Sequence, residues 1–122
     1  MAGLVNSVSQ AALDYLFPTT GGTDYIAYST NGSTEFGGMA RTSIGATGWS
    51  AATAADPSVK GNANALTSAT ASSAGTITHF AIFSASSGGT QRTDWTALAA
   101  SKTVAIGDTV SWAVAACQVT LT

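Results

Sequence analysis

TITHFAIF, residues 76–83, is the stretch on which the fold turns. Ile77, His79, Ala81 and Phe83 point one way in an extended chain, and Phe80 and Ile82 point the other. An alternation with bulky apolar groups on both sides predicts a central strand covered on both faces.

Working outward, the same period of two recurs. Downstream, Ser86 to Gly89 reads as a turn, and Gln91–Leu98 (QRTDWTAL) as a strand with Trp95 and Ala97 on one face. Lys102–Ile106 reads as the next strand, Gly107-Asp108 as a tight turn, and Thr109–Ala115 as a strand presenting Val110, Trp112 and Val114. Val119 and Leu121 mark a last strand. Upstream, Thr23–Thr30 (TDYIAYST) is a strand closed by the turn Asn31-Gly32-Ser33. Phe36–Ile44 is a second, bulged at Gly37-Gly38, and Thr47–Thr53 around Trp49 is a weaker one. Asp56-Pro57 to Gly61 has turn chemistry, and Asn62–Ala71 alternates weakly around Leu66. The Ala/Ser/Thr stretches at 50–55 and 67–74 read equally as extended strands or surface loops.

Only the beginning departs from this pattern. In Leu4–Phe17, the residues Leu4, Val8, Ala11, Ala12, Tyr15 and Leu16 share one face at helical period, with Ser7, Gln10 and Asp14 opposite. Pro18 and Gly21-Gly22 stop the helix. So short a helix must dock to be stable, either on its own β domain or on a partner. Many short strands between Gly-rich turns predict a sandwich or a barrel. A length of 122 residues predicts one domain, 1–122, whose residues 1–22 are a helical segment and linker.

Composition narrows the function. Charged residues are 8 % of the chain, against roughly 25 % in ordinary domains, and Ala, Ser, Thr and Gly exceed half of it. The few large side chains must supply most of the core, while a Ser/Thr/Gly exterior stays polar without repelling its own kind. Such a surface suits close packing against copies or a partner. The four cations, Arg41, Lys60, Arg92 and Lys102, are scattered, so nucleic acid and anionic membranes are not expected partners. The first Lys or Arg is Arg41. No secretory signal is therefore expected, nor any membrane span, and folding is expected in a reducing cytoplasm. Cys117 is a lone cysteine within an apolar run, read as a buried hydrophobe.

Chemistry-bearing patterns are sparse. One His (His79) and one Cys provide no zinc set, and no nucleophile–base pair or phosphate loop is visible. The carboxylates Asp14, Asp24, Glu35, Asp56, Asp94 and Asp108 lie far apart in sequence. No enzyme, metal or cofactor is expected. Trp49, Trp95, Trp112, Tyr25 and Tyr28 offer either a sugar-stacking platform or core filling. Trp112 is assigned to the core and Trp49 to the surface. Leu4, Val8 and Trp49 are the candidate contact residues toward a partner.

Two long stretches carry a resemblance: GTITHFAIFSASSGG (Gly75–Gly89) and LAASKTVAIGDTVSWAVAACQVTLT (Leu98–Thr122). They resemble a family of small tailed-phage virion proteins with a "GTITHFGIFDA–SGG" stretch, then "ALTTPKTVxxGDT" and a terminal "LxVTL". MAGLVNSVSQAALDYLF followed by TDYIAYST is similar to that family's helix-then-strand opening. Ala81 replaces its usual glycine, Ser84 its usual aspartate, and Ala115-Ala116 stand where a glycine is common. Members are described as capsid decoration or minor capsid proteins and as tail-fibre-like proteins. The resemblance implies an all-β fold: an antiparallel β-sandwich of about eight short strands with one N-terminal α-helix. It also implies a place on the outside of the virion in many copies. With no coiled-coil or repetitive shaft in the sequence, the leading expectation is a decoration protein. It would bind the major capsid protein at the outer head surface and stabilise the shell by mass action. Copies of itself, as a dimer or trimer, are the other expected partner. A tail-fibre subunit and a glycan-binding attachment module are the alternatives.

Overall fold

A computed structural model describes residues 5–54 and 58–121. The chain is all-β, mostly strands in antiparallel sheets, with a single short helix among the described residues. In chain order the elements are α1 (Asn6–Leu16), β1 (Tyr25–Ser29), β2 (Thr42–Ser43), β3 (Ser58–Gly61) and β4 (Leu66–Thr67). They continue with β5 (Gly75–Phe83), β6 (Thr96–Val104), β7 (Ser111–Trp112) and β8 (Gln118–Leu121). Three sheets result, ordered β2-β1-β5-β6, β3-β8 and β4-β7. The chain divides into two compact units of interleaved segments, with residues 23–43 and 66–111 in one and the described parts of 1–22, 44–65 and 112–122 in the other.

The sheet unit is built on β5, which has a neighbour on each side. Ile77, Ala81 and Ile82 are fully buried and Phe80 nearly so, as expected of a strand covered on both faces. β1 pairs with β5 in unbroken register from Tyr25↔Phe83 to Ser29↔His79, adding buried Ile26, Ala27 and Tyr28. The Tyr28 hydroxyl and Thr42 Oγ1 share a hydrogen bond. The turn after β1 forms as its chemistry requires. Asn31 Oδ1 accepts from the backbone N–H of Ser33 and Thr34 at 2.8 and 3.0 Å, and Gly32 takes φ +75°. Gly32 also lies under the His79 ring, where an added Cβ would stand 2.9 Å from its atoms. His79 is half-buried, with Nδ1 2.8 Å from Thr78 Oγ1.

Several strands differ from expectation. Phe36–Ile44 yields only the two residues of β2. Before it, the Gly38 carbonyl accepts from the Ser72 N–H and hydroxyl, at 2.7 and 3.2 Å, instead of joining a ladder. Residues 91–95 are irregular, because Arg92 reaches Asp24 at 2.6 Å and Thr93 Oγ1 accepts from Ile82 N at 3.0 Å. The strand starts at Thr96 and runs unbroken to Val104, merging two expected strands. Ala99-Ala100-Ser101 contains neither Gly nor Pro to turn the chain. Thr109–Ala115 contracts to β7, with Val110 and Trp112 buried and Val114 exposed.

The helical unit holds the clearest reversal. Ser58–Gly61, expected as a turn, is the strand β3, paired with β8 from Ser58↔Leu121 to Gly61↔Gln118. Asp56-Pro57 of that expected turn lies outside the described residues. The stretch 50–53 runs beside β3 without forming a strand, through Ser50 N to Gly61 O (2.8 Å) and Thr53 N to Val59 O (2.9 Å). In the sheet unit, the 67–74 stretch holds the last residue of β4 and then a pinned loop: Ser68 N donates to Val110 O and Ala71 N to Asp108 O, both at 2.8 Å.

Candidate functional site

The helix α1 has no side-chain cap at Val5, no acid in its first turn and no base in its last. Its stability therefore rests on docking, and it packs on β3 and β8. The docked face is not the apolar stripe expected from the sequence. Ser9, Leu13 and Phe17, spaced by four, are buried. The flanking Gln10 and Asp14, expected to face outward, are the residues that bond. Gln10 Nε2 donates to Ala52 O at 3.0 Å. Asp14 Oδ1 accepts from Ala52 N at 2.9 Å and from Lys60 Nζ at 2.5 Å. Lys60 on β3 is wholly buried, and an ammonium so placed requires a counter-charge. The Lys60 hydrogen bond holds the Asp14 carboxyl below its ordinary range. The Ala52 N–H adds to this effect, and partial burial opposes it. The docked face thus centres on Leu13 and Phe17, with Gln10 and Asp14 bonding at its flank.

The displaced stripe is left outward. Val8 is 48 % and Tyr15 85 % exposed, with Val5 and Leu16 exposed alongside. Val8 is thus available for contact. Leu4 lies outside the described residues.

Trp49 corrects an expectation: predicted at the surface, it is 2 % exposed. It packs edge-on against Phe17 with ring centroids 5.5 Å apart. The reason is compositional, since a unit so rich in small residues needs its largest side chain inside. Trp112 and Tyr28 are buried as well, so the five-residue aromatic platform is not assembled. Tyr25 and Trp95 are half-buried, and Trp95 leans on Phe83 at 5.9 Å.

Phe83 is also the floor of an arginine hub that the sequence reading missed. The Arg41 guanidinium lies 3.9 Å over the Phe83 ring. Its Nε and Nη2 donate to both Glu35 carboxylate oxygens at 2.8 Å, and its Nη1 donates to Ala85 O and Gly88 O at the same distance. Glu35, through that bidentate hydrogen bond, raises the Arg41 pKa above its ordinary value. The hub clamps the loop after β5. Only the isolated Glu35 and Arg41 signalled it in the sequence, and charge-poor chains give such pairs no repeating pattern.

Several other polar residues are similarly engaged. Asp24 meets Arg92, and Asp108 Oδ2 caps Ala105 N at 2.9 Å beside Gly107 at φ +92°. Asn62 is buried, donating to Asn64 O and Ala113 O (2.7 and 2.9 Å) and accepting from Cys117 N at 2.9 Å. Cys117 is fully enclosed, and burial pushes its thiol up to about 12. Among the described residues, no three of His, Cys, Asp and Glu converge as metal ligands. No helix among them is long and apolar enough to cross a membrane.

What the surface offers is contact area. It presents an exposed apolar helix face and a long outer strand, β6, whose residues 96–103 are exposed except for half-buried Leu98. Comparison with known proteins places the chain in this light. No curated protein matches it. The model of the family described as "Podophage GP4 fiber I protein gp80" matches residues 4–122, nearly the whole chain. The chain therefore belongs to the podophage GP4 fiber I protein gp80 family, a family of phage structural proteins.

Proposed function

We propose that this chain is a non-enzymatic structural subunit on the outside of a phage virion, working as part of a fibre through contacts with copies of itself. The observation that carries this reading is the family match across residues 4–122. Three physical features support it. The exterior is nearly uncharged, so copies do not repel one another. The exposed apolar residues of α1, Val8 among them, offer contact area, whereas the buried Trp49 offers none. Asp14, Asp24, Glu35 and Asp108 each hold a cation or cap a backbone N–H, which is structural work.

A second reading is the capsid decoration protein, clipped to the major capsid protein at the outer head surface. It is favoured by the shortness of every element. The one described helix has 11 residues and the longest strands nine, so the chain supplies no shaft of its own. Cryo-EM of intact particles with the chain tagged at its C-terminus tests both. Density in a projecting fibre at few copies is the expected result. Regular positions over the head lattice, in hundreds of copies, replace it with the second reading. A virion that lacks the chain overturns both.

A further inference from the structure

The strand β6 is an anomaly in a chain so short of large side chains. It is nine residues long, yet of residues 96–103 only Leu98 is even half-buried. A strand exposed on both faces contributes little to its own core. It has β5 on one side and, among the described residues, no strand on the other. Its register to β5 runs Gly75↔Val104, Thr76↔Thr103 and Ile77↔Lys102, then jumps to His79↔Ala97 and Phe80↔Thr96. Residues 98–101 therefore share the single residue Thr78 across the ladder.

Open sheet edges present unpaired N–H and C=O groups and are usually shortened, charged, bulged, broken by proline or covered, and β6 uses a bulge, at 98–101. The opposite edge of this sheet follows that rule, since β2 has two residues. Along β6 there is no proline and one charge, Lys102, beside the small neutral run Ala97-Leu98-Ala99-Ala100-Ser101.

We infer that β6 is the edge along which two copies of this chain join, strand to strand and antiparallel, making one continuous sheet across the pair. The inference rests on the self-association proposed above and gives it a surface. A second copy suits this edge because the strand is complementary to itself. In a two-fold pairing centred on Ala100, Ser101 faces Ala99, Lys102 faces Leu98, Thr103 faces Ala97 and Val104 faces Thr96. No like charges oppose each other and no two bulky groups collide, while small side chains let the backbones approach.

Sedimentation equilibrium of the full chain, with Ala100→Lys and Ala100→Cys variants, tests this. Wild type is expected to dimerise. Ala100→Lys sets two cations face to face and is expected to weaken the dimer at least ten-fold, with circular dichroism and Tm unchanged because the site is exposed. Residues directly opposite in an antiparallel pair lie within disulfide reach, so Ala100→Cys is expected to cross-link on mild oxidation. An Ala69→Cys control, at an exposed site away from the edge, is expected to cross-link far less. Cys117 is enclosed and does not compete. A wild type monomeric at every concentration, an Ala100→Lys dimer as tight as wild type, or equal cross-linking at residue 69 overturns the inference. A monomeric chain that is nevertheless found in the virion defeats this inference alone. A β6 dimer absent from the virion defeats the proposed function and leaves the edge pairing intact.

Discussion

The two units are stabilised by different means. The sheet unit is apolar and regular: β1 and β5 align Ile26, Ala27 and Tyr28 with Phe80, Ala81 and Ile82 in one uninterrupted register. The helical unit is held at separate points: Lys60 on Asp14, Asn62 on three backbone groups, and the Trp49 ring against Phe17. Interactions of the first kind leave a period in the sequence. Those of the second kind leave none, because each depends on two residues far apart in the chain.

The largest expected effect compares one anchor from each unit. Trp49→Ala removes the principal aromatic of the helical unit and should cost about 4 kcal/mol, while Ile82→Ala in the sheet unit should cost about 3 kcal/mol. Denaturant unfolding measures both. An Ile82→Ala cost well above that of Trp49→Ala would mean that a distributed apolar register is more fragile than a single anchor.

The ion pair sharpens the contrast because its two ends differ. Lys60 is fully buried and Asp14 is 36 % exposed. Asp14→Ala leaves an uncompensated buried ammonium and should cost about 3 kcal/mol, the lower end for breaking a buried pair, since the lost carboxylate was partly hydrated. Lys60→Met leaves a carboxylate that water can reach, and should cost about 1 kcal/mol or less. Equal losses from the two substitutions would show that the burial asymmetry has no energetic consequence.

The same pair sets an acid limit. The folded Asp14 carboxyl titrates below its ordinary value of 3.8, so its contribution is complete above that pH and fades as the pH falls through the lower folded value. Thermal unfolding between pH 5 and pH 2.5 should show a downward slope in wild type that flattens in Asp14→Ala. A slope unchanged by the substitution assigns acid lability elsewhere.

The smallest effect concerns Ala115, the only non-glycine residue with positive φ among those described, at 65°. Its Cα stands 3.0 Å from where a side chain on Gly61 would begin. Ala115→Gly should stabilise by about 0.5 kcal/mol, the relief of left-handed strain outweighing the added chain entropy. A rise of a few degrees in Tm is the expected readout.

These contrasts explain what was legible. TITHFAIF, TDYIAYST and the Val119/Leu121 pair announced β5, β1 and β8, because alternating large residues were aligned with the pleat. Ser58–Gly61 was hidden because its central side chain is a lysine, which reads as surface until Asp14 is placed beside it. The helix was found, but its apolar period pointed to the wrong face: the docked one carries Leu13 and Phe17, with Asp14 beside them on Lys60. Trp49 was misplaced for a related reason. Its neighbours in sequence are small and polar, and the ring that encloses it, Phe17, comes from another segment. The long outer strand was legible as extended chain but was split in two, since alanine at residues 99 and 100 signals neither turn nor ladder.

The interleaving of the two units bears on biosynthesis. β3 finds its partner only in residues 118–121, and α1 packs on both strands. While the chain is being translated, α1 and β3 have no completed docking surface until residues 118–121 have left the ribosome. The helical unit therefore closes only once those residues have emerged, and until then the nascent helix can bury its apolar residues only against something else.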